Sequence, residues 1–154
     1  VEPAWLSQFL VVVLADCVSD RFSHDILLRS IKDLLSRSKD ARIYMVAGLH
    51  TGRSTLVHFF RHALAIGLCL VPVPPADVWP TCPQETTALP GSEHIMELEV
   101  GGTWDEHETP YLTGQRRPFL LHRGSPDQEE EPLQVRNHWL TVSCMAWAAT
   151  EATP

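Results

Sequence analysis

Phe9-Leu10-Val11-Val12-Val13-Leu14-Ala15 is an unbroken apolar run, and its reading decides the fold. A short run rich in β-branched valine suits a strand buried on both faces, as in a parallel sheet covered by helices. It is too short to cross a bilayer. Its flank carries Glu2 and no basic residue, and Asp16 beside Cys17 is wrong for a small-residue cleavage site, so it is not a signal peptide. The chain starts without Met, as an excerpt would, and reads as soluble and cytoplasmic or nuclear, with no membrane partner.

Working outward, strand and helix signals alternate. Ser23 offers an N-cap, and Leu27, Ile31, Leu34 and Leu35 follow at i, i+4, i+7, i+8, one helical stripe. Arg42-Ile43-Tyr44-Met45-Val46-Ala47 reads as a second buried strand ending at Gly48. A second helix is expected over 53–66, with Leu56, Phe59, Phe60 and Ala63 inward and Gly67 as its stop. Residues 68–73 give a third strand, cut off by Pro72, Pro74 and Pro75. This order implies right-handed crossovers and a mostly parallel sheet in one domain, 1–154. Residues 74–137 form a Pro/Gly-rich excursion, in part ordered, with disorder expected around 80–92 and 124–133. Within it only 94–100 alternates, as an edge strand or hairpin arm would. The run from 138 to 148 closes the sheet.

A formal charge of −7 excludes a nucleic-acid footprint, which needs clustered Lys and Arg. The acidic run at 127–131 reads as a solvated loop. Cysteines at 17, 69, 82 and 144 form no C-x-x-C pair and read as buried thiols in a reducing compartment, with no zinc site.

Several constellations invite chemistry. Ala47-Gly48-Leu49-His50-Thr51-Gly52-Arg53-Ser54 lies between a strand and a helix N-terminus, where anions bind. Yet Ala47 stands where a phosphate loop has its first Gly, and Arg53 where it has Lys, so it reads as a near miss. His58 and His62 share a helical face, but Phe59 replaces the Glu of a zincin, leaving two polar residues on a wet face. No nucleophile elbow exists. Asp16 is more informative, because open α/β sheets place ligands beyond the carboxyl ends of strands. There a carboxylate can orient an amine, or it can simply cap the turn.

Val11-Val12-Val13-Leu14-Ala15-Asp16-Cys17-Val18 resembles the fourth strand of the seven-strand S-adenosylmethionine-dependent methyltransferases, within the lysine methyltransferase group. Within that group it is most similar to fungal nicotinamide N-methyltransferase-like proteins. The segment Val46-Ala47-Gly48-Leu49-His50-Thr51-Gly52-Arg53 resembles their fifth strand and following helix. Gly114-Gln115-Arg116-Arg117-Pro118-Phe119 and Arg136-Asn137-His138-Trp139-Leu140 resemble their closing segments. The likeness spans roughly residues 9–73 and 111–147.

The resemblance implies a partial Rossmann-like α/β sheet of the fourth to seventh strands, helices on its faces, and the last strand antiparallel. That last strand, bearing Trp139, would lie between the strands at 42–47 and 68–73. It further implies that Ala15 lies beside the cofactor, S-adenosylmethionine, and that Asp16 and Ser19 line the acceptor pocket. Ser19 stands where relatives carry an aromatic wall. The Gly-rich turn and the acid that hold most of the cofactor have no counterpart in these residues. The expectation is therefore part of an N-methyltransferase, inactive by itself, whose acceptor is a protein lysine or N-terminus or a small amine. No catalytic residue or metal ligand is assigned. The rival expectation is a non-catalytic interaction module on the same fold. In either case the strand at 10–15, unblunted by Lys or Pro, would become an edge and favour self-association.

Overall fold

A computed structural model describes residues 6–74, 89–101, 111–121 and 130–149. The strands are β1 (Val11–Ala15), β2 (Arg42–Gly48), β3 (Leu68–Val71), β4 (Met96–Gly101), β5 (Tyr111–Pro118) and β6 (Trp139–Trp147). The helices are α1 (His24–Leu34), α2 (Arg53–Ala65) and a single turn, α3 (Leu133–Arg136).

The six strands form one mixed, open sheet. Parallel to β1 runs β2, which pairs antiparallel with the central β6. The far edge of β6 is shared: its first half pairs with β4 and its second half with β3. The β4–β5 hairpin extends the sheet beyond that. The closing strand does lie between β2 and β3, and antiparallel to both, as expected.

The expectation of a mostly parallel sheet is corrected, since among the described strands only β1 and β2 pair in parallel, beside one isolated parallel bridge from Phe9 to Leu35. Two things change the balance. The strand β6 separates β2 from β3, and the excursion contributes two strands where the sequence offered one arm. The described part of that excursion includes 89–92 and 130–133, which fall within the stretches where disorder was expected. The rest of those stretches lies outside the described residues.

Register fixes the faces. In one direction point Leu14, Ile43, Met45, Ala47, Leu68, Leu70 and Met145, all buried, and against them pack Leu28 and Ile31 of α1 and Phe59 and Phe60 of α2. Both long helices thus share one face. Each large side chain buried there contributes about 1.5–3 kcal/mol. On the other face of β1 and β2, Val13 is 67% exposed, Val11 52% and Val46 37%. The reading of β1 as buried on both faces is therefore wrong. Its composition suits a doubly covered strand, but α1 and α2 cover one side only.

The helix ends also differ from the sequence reading. Asp20, rather than Ser23, makes the cap: it accepts from the Phe22 amide and from the Ser23 hydroxyl, at the head of a 3-10 turn leading into α1. The buried stripe of α1 is His24, Leu28 and Ile31, continued by Leu35, rotated from the one the spacing suggested. His24 therefore occupies a core position. Of the cysteines, Cys144 is buried but Cys17 is exposed, because it follows the end of β1 and the turn at Asp16. Cys69 is half-buried, and Cys82 lies outside the described residues.

Candidate functional site

At the carboxyl ends of β1 and β2 a cavity of 340 Å³ is lined by Ala15 at the end of the first and Asp16 after it, Gly48 at the end of the second and His50 after it, and Asn137 and Trp139. Asp16 leaves β1 with φ of 51°, a left-handed conformation that Asp tolerates better than most residues. The turn swings its carboxylate toward β2, where Oδ1 accepts the Gly48 amide at 3.0 Å. The Asp16 amide donates to Val46 O at 2.8 Å, so both ends of the residue are held by β2. Gly48 permits this crowding. A Cβ there would meet His50 Nδ1 at 2.7 Å and Asp16 Oδ1 at 3.5 Å. Oδ2 of Asp16 has no hydrogen bond among the described residues, so one carboxylate oxygen remains to accept from a ligand.

Of the residues singled out from the sequence, Ala15 and Asp16 both line this cavity. Ser19 is exposed, does not line this cavity, and stands beyond the turn that follows β1. Sequence reasoning passed over His50 and Asn137 as cavity residues. The signal for His50 was its place just past the end of a strand.

Behind the cavity lies an ion-pair network that explains the three arginine-bearing segments. Arg53, fully buried, donates to Glu97 through Nε at 2.5 Å and Nη2 at 2.9 Å, and to Glu131 at 2.8 Å. Arg117 bonds Glu97 and both oxygens of Glu131, and its guanidinium stacks 3.6 Å from the Trp139 ring centroid. Arg136 pairs with Glu130 at 3.1 Å and donates to Leu49 O, holding the loop that carries His50. Burial pulls the Arg53 guanidinium down, but Glu97 and Glu131 outweigh it and hold the group above its ordinary value. For Glu131, burial pushes up while Arg117 and Arg53 pull harder, so its carboxyl sits below the usual range.

Two expectations fall to this network. The acidic run is no solvated loop at its end, because Glu130 and Glu131 neutralise arginines that helix packing has buried; residues 127–129 lie outside the described residues. The phosphate-loop likeness is also resolved. Arg53 turns into the core instead of outward, and the Ser54 amide in the first turn of α2 is already taken by the Glu130 carboxylate at 3.2 Å.

The histidines form a second cluster. His24 Nε2 lies 2.9 Å from Val18 O, which can only accept, so that nitrogen carries a proton. Its Nδ1 then meets His58 Nδ1 at 2.9 Å, and in the neutral pair His58 is the donor. His62 bonds Asp25 at 2.8 Å. Burial, then the neighbouring His62, His24 and Arg21, hold His58 below its ordinary value. These residues are therefore not simply a wet face, since His24 replaces an apolar residue in the α1 stripe and draws His58 inward. No group of three metal-ligating side chains exists among the described residues.

The cavity at Asp16 also tests the implied cofactor. Small-molecule sites run from about 300 to 1,000 Å³, so this one takes one lobe of a small ligand. Among the described residues, one carboxylate, one carboxamide and one imidazole on otherwise apolar walls do not supply partners for both the amino-acid and ribose ends of S-adenosylmethionine. The described residues do not make a whole site for it. The chain matches no protein-family model, no curated protein and no solved structure.

Proposed function

We propose that this chain forms the acceptor-side part of an S-adenosylmethionine-dependent N-methyltransferase fold, inactive until further residues complete the cofactor site. The observation that carries this reading is the position of β6, antiparallel between β2 and β3, with β1 parallel beside β2. That is the arrangement the resemblance implies for the fourth to seventh strands. Two features support it further: a ligand-sized cavity at the carboxyl ends of β1 and β2, and an apolar face on those strands that α1 and α2 leave uncovered.

In this role Asp16 is a positioning residue. Its Oδ1 is held by the Gly48 amide, and its Oδ2 accepts a hydrogen bond from an amine, whether a protein lysine, an N-terminus or a small molecule. Fixing the nitrogen in one orientation is worth several orders of magnitude in rate for a displacement. Trp139, clamped by Arg117, supplies an apolar wall to the same cavity.

Isothermal titration with S-adenosylmethionine tests the reading in two arms. The 154-residue chain is expected to show no saturable binding at micromolar concentration, and a chain extended at its N-terminus by a segment with the Gly-rich turn and the acid is expected to bind. An extended chain that does not bind sinks the enzyme reading. The second reading, a non-catalytic interaction module, is favoured by the exposure of Val11 and Val13. It gains if the extended chain binds a protein but no cofactor.

A further inference from the structure

A second cavity, of 310 Å³, lies on the outer side of α2, lined by Arg21, Ser54, Val57, His58, Arg61, His62 and Leu121. Its charge is unusual for this chain, which has 19 acidic and 12 basic residues. Two guanidiniums and two imidazoles converge there, and no carboxylate lines it among the described residues. Arg53, Arg117 and Arg136 each have a glutamate. Neither Arg21 nor Arg61 has a carboxylate partner among the described residues. The acids nearby have other partners: Asp25 bonds His62, Glu130 pairs with Arg136 and holds the Ser54 amide, and Asp20 caps the 3-10 turn.

Arg21 is also held in place. Its Nη2 donates to Ser54 Oγ at 2.8 Å and its Nε reaches Thr55 Oγ1 at 3.4 Å. These bonds use two of the five guanidinium N–H groups. They also leave the Ser54 hydroxyl proton free to donate, because the oxygen is the acceptor. Along α2, Ser54, His58 and Arg61 fall at i, i+4 and i+7, one face over about two turns, roughly 10 Å. With His58 held below its ordinary value and His62 bonded to Asp25, the positive charge facing the cavity comes from Arg21 and Arg61, which an anion can answer.

We propose that this cavity binds a small molecule bearing a diphosphate group. Arg21 and Ser54 take one phosphoryl unit and Arg61 the other, while Val57 and Leu121 receive the apolar remainder. The span of cationic groups suits two linked phosphates better than one. The site shares Ser54 with the run at 48–54, but through its hydroxyl, since Glu130 already occupies the amide, and it is separate from the cavity at Asp16. It does not depend on the methyltransferase reading.

The test is a heteronuclear NMR titration of the full chain with inorganic pyrophosphate, and separately with inorganic phosphate and sulfate. Pyrophosphate is expected to bind at least about tenfold more tightly than either, with shifts confined to α2 and the 3-10 turn at Arg21. Arg21→Gln and Arg61→Gln, both at exposed positions, should each weaken binding about tenfold or more, with unchanged spectra in the absence of anion. Arg37→Gln, a distant cation stacked on Trp147, should leave it unchanged. Equal affinity for all three anions, an equal loss in Arg37→Gln, or no saturable shift overturns the proposal.

Discussion

Glu97→Gln removes the charge at the centre of the buttress behind the Asp16 cavity. Glu97 is fully buried and accepts from Arg53 Nε, Arg53 Nη2 and Arg117 Nε. Without it, Arg53 keeps one charged partner, Glu131, and its Nη1 already lacks any. Removing one member of a buried pair costs about 3–5 kcal/mol; the surviving Glu131 contact and the amide oxygen of Gln soften this to about 2–3 kcal/mol. At about 2–4 °C for each kcal/mol in a chain of this size, the melting temperature should fall by about 4–12 °C. Urea unfolding followed by circular dichroism measures the free energy directly. The double variant Arg53→Met with Glu97→Leu removes both charges and should lose less than either single change, because no uncompensated ion stays buried. A Glu97→Gln loss below about 0.5 kcal/mol, or a double variant worse than the sum of its parts, would refute the reasoning.

Three further outcomes are expected. Gly52→Ala should destabilise by about 1–3 kcal/mol in the same urea assay, since φ is 88° there and a Cβ would run into the Glu130 carboxylate; an unchanged midpoint contradicts that. Stability should fall in two stages as pH drops. His58 is held below its ordinary 6.5, so between its folded value and 6.5 the unfolded chain binds more protons and unfolding is favoured. Below 4.5 the share owed to the depressed Glu131 is lost as pH falls through its folded value. Melting curves across this range should show the first stage vanish in His58→Gln. Finally, Val13→Lys should raise the monomer fraction in sedimentation, because Val13 sits exposed on β1, where the free edge would otherwise template pairing. A wild-type chain that stays monomeric at high concentration contradicts it.

What local pattern could determine, it did. The valine run, the second strand and the α2 stripe of Leu56, Phe59, Phe60 and Ala63 follow from periodicity, and each forms where it was read. The place of Asp16 was legible because a strand end is a local feature, and a cavity lies there. The partners of Arg53 were not legible. Glu97 lies 44 residues away in a strand, where a lone acid reads as solvated, and Glu131 lies 78 away in what looked like a wet loop. Glu97 comes under α2 only because β4 is placed beside β6, and Glu131 only because the segment before α3 folds back to Arg53. His24 and His58 are likewise 34 residues apart and meet only when α1 packs on α2. Sequence periodicity reports which residues prefer burial. Which charges are buried together, and which face of a valine-rich strand stays open, depends on strand order and on the side the helices choose. Those are long-range choices made by packing.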